Sequence, residues 1–226
     1  MKARQRLRRY HIWLGWIVGV PLLMWTLTGL FMAARPIDEV RGRGLLSPTA
    51  PLDPGASAAL PPIGPRPVSM LSLQRTGTGA QWIVRYADGG ARRAEAATGR
   101  LLPPPSAAEA AAIVRSRYAG GAAVASVDRT SADSPPTDLR KPVAAWRVTM
   151  TDGTRFYLDS ATGEVLATRT RYWRIYDAMW GLHILDPAGR ENSHNPFIVG
   201  LAAVSLLTLV LALALLPMTV RKRRSP

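Results

Sequence analysis

Two uninterrupted apolar stretches stand near the ends of the chain, and the residues between them follow short alternating patterns. The first stretch runs from His11 to Ala34 and the second from Pro196 to Val220, and neither holds an Asp, Glu, Lys or Arg. A bilayer core of roughly 30 Å takes about 20 mostly apolar residues in a helix. Each stretch therefore predicts a membrane-spanning helix. Between them, Trp146, Val148 and Met150 alternate with Arg147 and Thr149, the period of a half-buried strand. Asp152-Gly153 predicts a hairpin turn, since glycine accepts the positive φ of a tight connection. Phe156 and Leu158 then share one face, Ser160 to Gly163 turns the chain again, and Val165-Leu166 opens a further strand.

The same pattern occurs earlier. Trp82, Asp88-Gly89, Ala97-Thr98-Gly99 and Leu102 stand at the offsets of Trp146, Asp152-Gly153, Ala161-Thr162-Gly163 and Leu166. Shared spacing without a gap indicates two copies of one strand–turn–strand–turn–strand unit. Arg92 and Arg93 stand where the second copy has Phe156 and Tyr157, so the second strand of the first copy is expected to be less buried. Trp82 and Trp146 are expected in the sheet core. Ser106 to Glu109 has the form of a capping box, and Ala110, Ile113, Val114 and Arg117 follow at helical spacing until Gly120-Gly121. The expected organisation is then a basic tail (1–10), a first span (11–34), an extended Pro-, Ala- and Gly-rich linker (35–67) and a sheet domain (68–170). That domain holds a partial copy at 68–102 and a fuller one at 106–168, with 131–142 as a surface loop. An interfacial segment (171–195), a second span (196–220) and a second tail (221–226) complete the chain. The fold class is an α+β membrane protein, two transmembrane helices flanking an antiparallel sheet-plus-helix unit with an internal repeat.

Charge changes the picture in one respect, which is orientation. The net charge of +14 resembles that of a nucleic-acid binder, but five basic residues (Lys2, Arg4, Arg6, Arg8, Arg9) precede the first span and four (Arg221 to Arg224) follow the second. All 15 acidic residues lie between the spans, and no nucleic-acid motif accompanies the charge. No nucleic-acid partner is expected. Basic flanks stay in the cytoplasm, so both termini are expected there and residues 35–195 outside, in the periplasm of a bacterium whose inner membrane the chain spans. Membrane lipid is one expected partner. The chain has no cysteine, which excludes disulfides and thiolate metal sites. No His-Glu-x-x-His, Gly-x-Ser-x-Gly or Gly-rich phosphate loop is present, so hydrolytic chemistry has no support. No catalytic residue and no metal-ligand cluster is assigned.

A helix followed by Trp146-x-Val148, Asp152-Gly153, Tyr157-x-Asp159 and Ala161-Thr-Gly-Glu-Val-Leu166 resembles the PepSY domain. Tyr10-His11-Ile-Trp13-Leu-Gly15-Trp with Trp25-Thr-Leu-Thr28-Gly29 resembles the first helix of PepSY-associated transmembrane proteins, and Leu182-His183-Ile-Leu-Asp186 with Asn195-Pro196 resembles their last. The resemblance implies a membrane-held periplasmic module for protein interaction, sensing or inhibition, with a periplasmic or membrane protein as partner. Larger relatives with more spans are similar to iron-regulated membrane proteins that reduce ferric siderophores with b-type haem. That implies the alternative, a haem b electron-transfer protein acting as a ferric reductase component in iron uptake.

His11, His183 and His194 are the candidate haem ligands. His11 begins the first span, whereas His183 and His194 precede the second, so His11 cannot share an iron with them in one chain. Either His183 and His194 ligate one outer haem, or two chains pair as a homodimer, so that His11 meets its mate and His183 its own. Gly15 and Gly19 give a small-xxx-small spacing for such a pairing. The competing reading of His11 is a polar interfacial residue among Tyr10, Trp13 and Trp16. Trp173, Tyr176 and Trp180 fall on one helical face and are expected at the headgroups.

Overall fold

In a computed structural model, residues 2–53, 57–76 and 79–220 are described. The basic residues 221–224 lie outside them. The chain divides into two compact units, residues 37–174 and the two chain ends, 1–36 with 175–226.

The central unit starts with a short helix, Ile37–Val40, and its described residues form two sheets. Strands β1 (Val68–Thr76), β2 (Gly79–Tyr86), β3 (Ala91–Glu95) and β4 (Leu101–Leu102) form the first, in that order. Strands β5 (Val124–Thr130), β6 (Ala145–Met150), β7 (Arg155–Asp159) and β8 (Val165–Arg169) form the second. All neighbours are antiparallel. The repeat read in the sequence is a repeat of register. Trp82 faces Ala94 and Val84 faces Arg92, as Trp146 faces Leu158 and Val148 faces Phe156. Each copy also carries a strand that its sequence signature did not announce, β1 and β5, giving four strands where three were read.

The helix between the sheets spans Ala107–Arg117, and Ser106 Oγ accepts from the Glu109 backbone N–H at 3.2 Å. Ala110, Ile113 and Val114 of this helix pack on Val148, Met150, Phe156 and Leu158, which is the apolar face that the alternation predicted. The opposite face of the second sheet is closed differently. Leu139, from the segment expected to be a surface loop, is fully buried with Ala145, Tyr157 and Ala167. Beside it, the buried Asp138 accepts from the Tyr157 hydroxyl at 2.6 Å and from Arg155 Nη1 at 3.1 Å. The 131–142 segment is thus a plug as well as a loop, because its carboxylate finds strand partners that make burial tolerable.

The first sheet departs from expectation at Arg93, which is only 4% exposed. Its guanidinium reaches the Glu109 carboxylate with both terminal nitrogens, and its Nε donates to Pro103 O at 2.7 Å. A paired, hydrogen-bonded arginine replaces the aromatic ring of the second copy. The two tryptophans are half-buried and tied at their polar edge. Trp82 Nε1 donates to Ala59 O at 2.8 Å and Trp146 Nε1 to Pro105 O at 2.9 Å.

The Ala59 contact belongs to the segment read as a linker. Ala59 N also donates to Ala96 O, Ser47 N donates to Arg117 O, and Leu46 bridges Tyr118. Leu46 and Ser47 are therefore held against the helix of the second copy and Ala59 against the first. At Gly99, where φ is +70°, a Cβ would stand 2.5 Å from Leu60 O. Gly99→Ala is expected to cost about 1–3 kcal/mol, read as a lower Tm of the full chain. A change at the open, positive-φ Gly121 should cost less, since nothing lies within 4 Å of its Cβ position.

Candidate functional site

The unit formed by the chain ends holds three helices. One spans Lys2–Ala33, one Arg171–His183 (of which Ile175 onward belongs to this unit) and one Pro196–Val220. The first and last are long and apolar enough to cross a membrane, over Arg4–Ala33 and Pro196–Pro217. The first helix begins well before the apolar run, because Lys, Arg and Gln are good helix formers and nothing in the basic segment breaks it. The last starts at a cap. Asn195 Oδ1 accepts from the N–H groups of Phe197 and Ile198 at 3.1 Å each, and its Nδ2 donates to Ile184 O and Asn192 O.

The connection 184–195 is a built turn. Asp186 accepts from the backbone N–H groups of Gly189, Glu191 and Asn192 at 3.0–3.2 Å. Those bonds, that from Asn192 first, hold its carboxyl below the usual carboxylate range. Arg190 pairs with the buried Asp177 at 2.8 Å, and Trp180 Nε1 donates to Arg190 O at 3.1 Å. A Cβ on Gly181 would stand 3.1 Å from Asp186 O and closer still to Arg190 Cγ, so glycine lets the turn fold back on its helix.

His183 lies against the first helix. Its ring stacks on Trp25 with centroids 4.6 Å apart and planes 19° apart, and its Nδ1 is 3.0 Å from Thr28 Oγ1. Thr28 Oγ1 also sits 2.9 Å from Met24 O and from Trp25 O. A hydroxyl has one proton. Given to those carbonyls, that proton leaves the oxygen to accept from His183 Nδ1–H, with Nε2 as the ring's other nitrogen. This is the arrangement in which an imidazole is oriented by its second nitrogen for ligation. Gly29 completes the fit, because a Cβ there would stand 3.3 Å from His183 Cε1. An apolar cavity of about 490 Å³ is lined by Pro21, Met24, Leu182, Leu185, Phe197 and Leu201 among others, but not by His183.

The other histidines stand apart from this arrangement. His11 is half-buried, with its Nδ1 screened from solvent and without a hydrogen-bond partner among the described residues. Seventeen residues of one helix separate it from Thr28, roughly 25 Å at the helical rise. His194 is exposed, with Ser193 Oγ 3.3 Å from its Nδ1. No group of three or more metal-binding side chains occurs among the described residues. Gly15 and Gly19 lie on an open helix face, with nothing within 4 Å of either Cβ position. Trp173 is buried within the central unit, under the Arg169 guanidinium at 4.1 Å, and Trp180 is held by Arg190, so both indoles have partners inside the protein. In the sequence Thr28 stands out only as part of the first-helix pattern. Its pairing with His183, 155 positions away, has no local signal.

Trp25, Thr28 and His183 all fall within one family match. A model described as the PepSY-associated TM region matches residues 8–223. The chain belongs to that family. The PepSY-associated match covers both apolar helices and the tandem sheets together. Neither a search of curated proteins nor one of solved structures gives a match.

Proposed function

We propose that this PepSY-associated chain is a membrane-anchored interaction module, with its tandem sheets outside the cytoplasm and a protein partner recognised along a sheet edge. The observation that supports it is β1. It is the outermost strand of the first sheet, nine residues long and, among the described residues, paired with β2 alone. It exposes Met70 (46%) and Leu71 (36%). An edge of this kind offers backbone donors and acceptors to an added strand, with apolar side chains to select it. The test is a photo-crosslinking residue at Leu71 in the full chain in native membranes. A discrete adduct at Leu71, and none at the exposed Arg115, is the expected result. Equal or absent labelling at both positions contradicts the reading.

A second reading is favoured by one observation, the hold of Thr28 and Trp25 on the His183 ring. It is a membrane electron carrier with haem b. His183 would be one residue holding such a haem. His11 of the same chain stands too far along the helix to share it, so a second chain or His194 would have to supply another ligand. The haem would supply one-electron transfer, and this chain's part is to orient the imidazole through Thr28 and Trp25. Full chain purified from haem-replete cells would show a Soret band that is lost in His183→Ala and shifted in Thr28→Val. A colourless protein removes this reading and leaves the first intact.

A further inference from the structure

The two sheets end differently at their first strands. β5 carries the exposed charges Asp128 and Arg129, the kind of edge that discourages pairing with another chain. β1 holds no charged residue from Val68 to Gln74, and Arg75 is its only one. Met70 and Leu71 are exposed on it. Among the described residues, the backbone of Met70 to Gln74 bonds to β2 alone, so no strand lies on the far side of β1.

The sequence of β1 is complementary to itself. When a second β1 lies antiparallel with Ser72 opposite Ser72, Leu71 faces Leu73 and Met70 faces Gln74, each pair occurring twice by the two-fold symmetry. Leu71 and Leu73 project to one side of the strand, so four leucines meet on one face. Arg75 falls opposite Ser69 and away from its mate, so no like charges oppose each other. Ser72 is the midpoint of Val68–Thr76, so this register overlaps the whole strand. The bulge between Val68 and Met70 lies outside the leucine pairs. A shift of the centre loses the match. Centred on Leu73, the pairing sets Leu71 opposite Arg75, and centred on Leu71 it sets Leu73 opposite Ser69. We propose that the occupant of the β1 edge is β1 of a second copy of this chain, the two strands joining antiparallel about Ser72 into one continuous sheet. Each copy then supplies the backbone donors and acceptors that the other's edge lacks. The proposal rests on the reading of β1 as a docking edge and names its partner.

The test uses the full chain in native membranes, as two copies with different epitope tags in one cell. The chain has no cysteine, so a single Ser72→Cys has only its mate to join. In the paired strands that position stands on the two-fold axis, within the roughly 7 Å between Cα atoms that a disulfide spans. Met70 is exposed whereas Ser72 is half-buried, yet the mate of Met70→Cys stands opposite Gln74, about 13 Å along the strand. Mild oxidation is expected to give a thiol-reversible species carrying both tags, about tenfold more in Ser72→Cys than in Met70→Cys. Linkage equal at the two positions, or absent at Ser72→Cys, overturns the proposal. The photo-crosslinking residue at Leu71 separates it from the reading on which it rests, and decides alone if Ser72→Cys does not accumulate. An adduct carrying both tags is the expected result. An adduct with a different protein overturns the self-pairing and leaves the docking edge intact, and the absence of any adduct removes both.

Discussion

Asp138→Ala is expected to destabilise the central unit by roughly 3–5 kcal/mol, a fall in Tm of roughly 6–20 °C. The carboxylate is buried, and its removal strands two groups together. Tyr157 loses the acceptor for its hydroxyl and Arg155 loses its ion-pair partner. The same residue guides Leu139 into the second face of the sheet, so the loop 131–142 should also become open to proteases. Burial first, and then the bond to Asp138, push the Tyr157 hydroxyl up to about 12. A folded-state value above the unfolded one means that this stability is complete below about pH 10 and is lost as pH rises toward 12. In Asp138→Ala, tyrosine absorbance should show one residue ionising earlier than in the parent. Unchanged Tm and an unchanged titration would contradict the network.

Glu109→Gln should cost about 2–4 kcal/mol at pH 7. Arg93 is buried and would be left facing a neutral amide. The Arg93 hydrogen bonds hold the Glu109 carboxyl below its ordinary value, against burial, and Coulomb attraction and the Ser106 N–H add to the effect. A depressed folded-state value gives stability that is present above the unfolded carboxylate pKa and lost as pH falls through the folded one. The stability gap between parent and variant should therefore be full at neutral pH and close below about pH 4. A gap that persisted unchanged into acid would show that the substitution acts through packing and not through charge. Chemical denaturation of the full chain at several pH values measures it.

These two sites mark the limits of reading the sequence. Periodicity showed the hairpins, since Trp146, Val148 and Met150 stand on one face and Asp152-Gly153 has one turn solution. The matching offsets in the first copy carried through to matching register. The helix start at Ser106 was legible because capping is local. Arg93 was misjudged for the opposite reason. An arginine signals exposure until a carboxylate from another element meets it, and Glu109 arrives from a helix 16 residues on. Asp138 and Leu139 sit in a Ser- and Pro-rich stretch whose composition is that of a loop, and only the distant Tyr157 and Arg155 make their burial possible. The linker was misjudged similarly, because Ala59 is fixed by a tryptophan 23 residues later. At the candidate site, His183 was singled out by its position before an apolar span. Its contacts with Trp25 and Thr28 depend on helix packing, which no local spacing encodes.

The absence of cysteine makes the central claim directly measurable. Single cysteines placed at Gly121 and at Gln5 in the full chain, probed in spheroplasts with a membrane-impermeant maleimide, report on opposite faces of the membrane. The account requires Gly121→Cys to label in intact spheroplasts and Gln5→Cys to label only after lysis. Labelling of Gln5→Cys from outside, with Gly121→Cys protected until lysis, would place the tandem sheets in the cytoplasm and contradict it.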